Sequence, residues 1–76
     1  LILDLIPNPS SGIFSILNPK SVNLTSVVVL DSKGSQILKY ATQPQILDLE
    51  KYPNGLYSVL IYTDQGVYSK KIIKMD

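Results

Sequence analysis

The chain has 76 residues, 45% hydrophobic and 17% charged, with a formal net charge of +1. That is too apolar for disorder and large enough for one small domain, which buries roughly 60% of the surface its unfolded chain exposes. Arginine, histidine and cysteine are absent, which excludes a disulfide framework, a thiolate metal site and a guanidinium-based nucleic-acid interface.

Leu1 to Ile6 is expected to form a short first strand at a sheet edge, ended by Pro7. Pro7-Asn8-Pro9-Ser10-Ser11-Gly12 excludes both helix and central strand, because proline fixes φ, lacks an N–H and forces the preceding residue into extended geometry. Gly12 permits a positive φ, so the chain can reverse there and enter a strand at Ile13 to Leu17. Asn18-Pro19-Lys20-Ser21 is a second breaker. Leu24 to Leu30, with three consecutive valines, predicts a central strand covered on both sides. Asp31-Ser32-Lys33-Gly34 has type I turn chemistry, and Ser35 to Tyr40 returns as its hairpin partner.

Thr42-Gln43-Pro44-Gln45 breaks the chain again before a brief strand at Ile46 to Leu49. Glu50 to Gly55 is the next turn, with Pro53-Asn54-Gly55 suited to type I or type II geometry. The remainder predicts a β-hairpin around Asp64-Gln65-Gly66. In its first strand Tyr57, Val59 and Ile61 share one face; Leu56, Ser58, Leu60 and Tyr62 share the other. In its second strand Val67, Ser69, Lys71, Ile73 and Met75 oppose Tyr68, Lys70, Ile72 and Lys74. Tyr62 and Tyr68 are expected as a cross-strand pair, and Phe14 and Tyr57 as core.

No stretch combines a helical period with freedom from proline and glycine, while short strands recur with turn signals about every eight to twelve residues. The fold class is therefore all-β: a small antiparallel immunoglobulin-like β-sandwich of about seven strands, formed by residues 1–76 as one domain. No apolar run reaches the roughly 18 residues of a membrane-spanning helix. The start at Leu1 rather than Met is expected of a piece cut from a longer protein, with any targeting segment upstream.

Chemistry finds no foothold. Without histidine or cysteine no serine has an evident base, and the hydroxyls of Ser10 and Ser11 suit turn capping. Asp48 and Glu50, two apart on one strand face, approach a carboxylate pair but read as a solvated surface. Asp31, Asp64 and Asp76 are too scattered in sequence for a calcium loop, and no glycine-rich loop opens a helix. No catalytic residue, metal or cofactor is expected. The tyrosines leave open a carbohydrate-binding or adhesion module as an alternative function.

Three stretches together resemble a known family. Pro7-Asn8-Pro9-Ser10-Ser11-Gly12-Ile13-Phe14 resembles the Pro-Asn-Pro-x-x-Gly-x-Phe opening of the type IX (Por) secretion system C-terminal sorting domains, type A. Asn54-Gly55-Leu56-Tyr57 resembles their Asn-Gly-x-Tyr strand start. Gly66 followed by Lys70-Lys71-Ile72-Ile73-Lys74 resembles their closing strand. Ile6 departs from the aromatic that many members carry before the first proline.

The resemblance implies a seven-strand immunoglobulin-like sandwich attached behind an N-terminal cargo in Bacteroidetes-type bacteria. It implies a non-catalytic sorting signal. The cargo crosses the periplasm, and its signal is recognised by the outer-membrane translocon and a shuttle protein. A sortase-like protease then removes the signal near its first strand, and the cargo is secreted or surface-bound.

For each motif the residue reading stands beside the resemblance. Pro7, Pro9 and Gly12 build a stiff turn; Gly55 frees the next one, and Tyr57 occupies the position of a tyrosine corner, its hydroxyl bonded to nearby backbone. Two readings stand for Lys70, Lys71 and Lys74 with Ile72 and Ile73. They guard a terminal strand edge against aggregation, or they form a handle that the export machinery reads by β-augmentation.

Overall fold

The computed structural model describes residues 3–41 and 44–76. The expected strand start at Leu1 and Ile2, and Thr42 and Gln43 of the third breaker, lie outside the described residues. Among the described residues seven strands follow in order: β1 (Asp4–Ile6), β2 (Ile13–Leu17), β3 (Leu24–Leu30), β4 (Gln36–Tyr40), β5 (Ile46–Asp48), β6 (Gly55–Thr63) and β7 (Gly66–Lys74). They form two antiparallel sheets, one ordered β1-β2-β5 and the other β4-β3-β6-β7. This three-on-four arrangement is the immunoglobulin-like sandwich that the strand spacing predicts.

Strand alternation supplies the core. Leu5, Phe14 and Leu47 face inward from the smaller sheet; Val27, Val29, Val59, Ile61 and Ile72 face them from the larger. β3 lies between β4 and β6, as its continuous apolar run predicts. Its outward-facing Val28 is still only 7% exposed, set in register between Lys39 and Leu60. Cover on that side thus includes the flanking strands of its own sheet. A register shift between Leu24 and Ser26 adds one residue to β3, so Leu24 points inward with Val27 despite a spacing that plain alternation forbids.

The turns are closed by the residue types that turn chemistry favours. The Asp31 carboxylate accepts hydrogen bonds from the Lys33 and Ser35 amides at 2.9 and 3.0 Å, and the Gly34 amide donates to the Asp31 carbonyl. The final hairpin turns through Asp64 and Gln65, with Thr63 opposite Gly66. The Thr63 hydroxyl accepts from the Gln65 amide and donates to the Gly66 carbonyl. That loop length corrects one expectation. Tyr62 faces Val67 and Tyr68 faces Ile61, so the two tyrosines lie on opposite faces of the sheet and are not a cross-strand pair.

Candidate functional site

The opening motif and the Asn54 to Tyr57 motif both meet the last half of β7, where the lysine run lies. From the end of β1, Pro7 to Ser11 carries the chain off the small sheet and along the outer edge of the large one. The Ile6–Pro7 and Asn8–Pro9 peptide bonds are both cis. Asn8 faces the terminal strand: its side-chain amide donates to the Lys71 carbonyl at 3.1 Å, and its side-chain oxygen accepts from the Ile73 amide at 2.9 Å. Ser10 continues the contact through its backbone, donating to the Ile73 carbonyl at 3.1 Å and accepting from Met75 at 2.8 Å. Ser10 and Lys74 form a parallel bridge. A carboxamide suits Asn8 because it carries both a donor and an acceptor, whereas the prolines on either side have no N–H to offer.

The rest of the opening motif anchors this clamp. The Ser10 hydroxyl donates to the Ile13 carbonyl at 2.6 Å and accepts from the Gly12 amide at 3.1 Å, the capping role that its sequence context suggests. Gly12 has φ of +151°, and a Cβ there would sit 2.7 Å from the Glu50 Cγ and 3.0 Å from its Cα. The Gly12 carbonyl accepts from Leu49 at 2.8 Å, so the absent side chain lets this turn close against the end of β5. Phe14, two residues on, is fully buried.

The second motif lies beneath the same strand end. Gly55 pairs with Lys74, Leu56 with Ile73 and Tyr57 with Ile72. Tyr57 is buried and its hydroxyl donates to the Pro53 carbonyl, four residues upstream. Burial raises the Tyr57 phenol above its ordinary pKa, with the nearby Asp31 charge and Tyr52 adding to the effect. Gly66, at the other end of β7, has φ of +134° in open space at the hairpin reversal.

Alternation divides the lysine motif, which corrects its treatment as one accessible edge. Ile72 is fully buried in the core. Lys74 is only 5% exposed, and its ammonium donates to the Tyr52 carbonyl at 2.8 Å and to the Asn54 side-chain oxygen at 3.4 Å. Its 3.9 Å ion pair reaches Asp76, which is solvent-exposed, so the two oxygen acceptors are its main anchor. Lys71 and Ile73 point outward and are exposed; Lys70 is half-buried on the inner side, opposite Val59.

The edge next to Met75 is likewise not open. Asn8 and Ser10 already occupy the outward backbone groups from the Lys71 carbonyl to the Met75 amide. Sequence reasoning missed this contact, and it missed Tyr52 and Asp76 around Lys74. The clamp joins residues more than sixty positions apart, and its one local signal is the carboxamide between two prolines.

Asp48 caps a turn, as Asp31 does. The Asp48 carboxylate accepts from the Glu50 amide at 2.9 Å, and both residues are exposed. Among the described residues no group of three acidic, histidine or cysteine side chains is placed to hold a metal. Among the same residues no helix is long and apolar enough to cross a membrane.

The family model described as a secretion system C-terminal sorting domain matches residues 4–75, a span that contains the clamp, the Asn54 to Tyr57 turn and β7. No curated protein matches the chain.

Proposed function

The chain belongs to the family of secretion system C-terminal sorting domains, the sorting signals of type IX secretion, and from that premise we propose that it is read through the side chains of β7 that the fold leaves accessible. Membership implies a cargo N-terminal to the domain, delivered to the cell surface or the medium by the type IX machinery. The family is not catalytic. The finer reading is that the cargo passes through the periplasm and the outer-membrane translocon recognises the domain together with a shuttle protein. A sortase-like protease then removes it, and the domain catalyses nothing itself.

The convergence of the three motifs on one strand carries this reading. Within the motif that holds Pro7, Pro9, Gly12 and Phe14, Asn8 and Ser10 bond the outer edge of β7, while Asn54, Gly55 and Tyr57 meet the strand from its other side, with Gly66 at its start. Ile72 and Lys74 hold the strand from within. Lys70, Lys71 and Ile73 are then what a partner meets. No observation favours a carbohydrate-binding or adhesion module: Phe14 and Tyr57 are buried and the other four aromatic residues are half-buried.

The test is a periplasmic reporter fused ahead of this domain in a host with a type IX system. Surface or medium delivery is expected for the wild type. Replacing Lys70, Lys71 and Ile73 together by serine is expected to reduce delivery by about tenfold or more while leaving the circular dichroism unchanged. Undiminished delivery of that folded variant would remove these residues from the recognition surface.

A further inference from the structure

The clamp covers only half of the β7 edge. Asn8 and Ser10 bond the Lys71 carbonyl, both backbone groups of Ile73 and the Met75 amide, so odd-numbered residues of β7 direct their backbone away from β6. Strand alternation directs the N–H and C=O of Val67 and Ser69, and the N–H of Lys71, the same way. Among the described residues these groups have no partner. The covered half demonstrates that the edge accepts an extended segment, because Ser10 runs along it as a parallel bridge. Side chains on both faces of the uncovered half carry charge. Lys71 lies on the outer face and Lys70 on the inner, and neither has an ion-pair partner among the described residues. Val67, 56% exposed, adds an apolar position at the far end.

We propose that the uncovered edge from Val67 to Lys71 is where the export machinery docks, by adding an extended segment as a fifth strand of the large sheet. This rests on the sorting-signal reading above. Backbone pairing supplies the contact and the side chains select the partner. Consecutive strand residues face opposite sides. Adjacent lysines on opposite faces therefore call for adjacent acidic residues in the incoming strand, with an aliphatic residue to meet Val67. A second copy of this chain does not meet that requirement: its acidic residues are Asp4, Asp31, Asp48, Glu50, Asp64 and Asp76, no two of them adjacent. Self-pairing would instead gather the lysines of both copies along one ribbon.

The experiment uses the same reporter fusion. Ser69→Pro deletes one outward N–H and blocks an added strand, while the β6 ladder uses the even-numbered residues and is left intact. Ser69→Ala alters the side chain alone. Delivery is expected to fall about tenfold or more for Ser69→Pro and to stay at the wild-type level for Ser69→Ala. Wild-type delivery of Ser69→Pro overturns the edge assignment and leaves the sorting function standing; failure of the unmodified domain to deliver the reporter overturns both.

If Ser69→Pro lowers the melting temperature, the decision passes to a benzophenone side chain placed at position 69 and irradiated during export. An adduct with a component of the translocon or its shuttle supports the proposal. Absence of any adduct, or a cross-linked second copy of the chain alone, overturns it.

Discussion

At Gly12 two constraints coincide, a φ of +151° and a neighbouring residue where a Cβ would go. The Glu50 Cγ belongs to a flexible side chain and can swing aside, but its Cα at 3.0 Å is backbone and cannot. Gly12→Ala is therefore expected to destabilise the domain by about 1–3 kcal/mol, measured by urea unfolding. Tyr57 makes a separate prediction through pH. Its phenol is raised above the ordinary value of 10.0 in the folded state, chiefly by burial. Folding therefore favours the neutral phenol over the phenolate. The associated stability is complete below the unfolded value and is lost as pH rises from that value through the folded one. Tyr57→Phe removes this dependence along with the bond to Pro53, at a cost of about 1 kcal/mol near neutral pH. Melting curves on both sides of pH 10.0 are expected to drop more steeply for the wild type than for Tyr57→Phe.

Among the elements, β7 is held by β6 along one edge and by the Pro7 to Ser11 turn along part of the other. Asn8→Ala removes both side-chain bonds of the turn and leaves those of Ser10. Because the Asn8 bonds are exposed, the expected loss is only about 1 kcal/mol. The local signature is sharper: hydrogen exchange at the Ile73 amide should accelerate, while exchange at Ile72, on the β6 side, should change little. Equal acceleration at both positions would mean that Asn8 supports the whole strand rather than its outer edge.

Much of this arrangement is legible in sequence. The β-branched run at Val27 to Val29 announces a central strand, the proline clusters mark the ends of β1 and β2, and period two puts Tyr57, Val59 and Ile61 inward and Lys71 and Ile73 outward. The same alternation already separates Lys70 and Lys74 from Lys71. What it lacks is the acceptor geometry that lets Lys74 be buried, because the Tyr52 carbonyl and Asn54 are brought there by another turn. The edge clamp is illegible for a related reason, since local propensity says nothing about a contact between Asn8 and Ile73. Tyr62 and Tyr68 fall on opposite faces because their pairing depends on the register at the hairpin turn, which residue types alone do not set.

Over the whole molecule, the accessible surface of 4659 Å² matches the roughly 4,600 Å² expected of a folded monomer of this mass. A domain this small has a single thin core and no reserve in which to lose an edge strand. β7 contributes Ile72 to that core, Lys74 to the buried polar contact below it, and its outer edge to the clamp that ties the two sheets together. Removing residues 71–76 deletes all three contributions at once. Loss of Ile72 alone is of the order of 2–5 kcal/mol when such a residue becomes alanine, against a total stability for a domain of about 5–15 kcal/mol. The truncated domain is therefore expected to be unfolded, with no cooperative melting transition by circular dichroism and loss of amide protection throughout β6. Export would then fail whether or not the lysines are recognised, so truncation confounds signal with fold. The triple serine replacement at Lys70, Lys71 and Ile73 avoids that confusion, because it leaves Ile72, Lys74 and the backbone bonds of the clamp in place. It is expected to retain a cooperative transition within a few degrees of the wild type, since surface changes of this kind typically stay within about 0.5 kcal/mol each. A non-cooperative melt for that variant would mean that these three side chains are structural after all, and any export defect would carry no information about recognition.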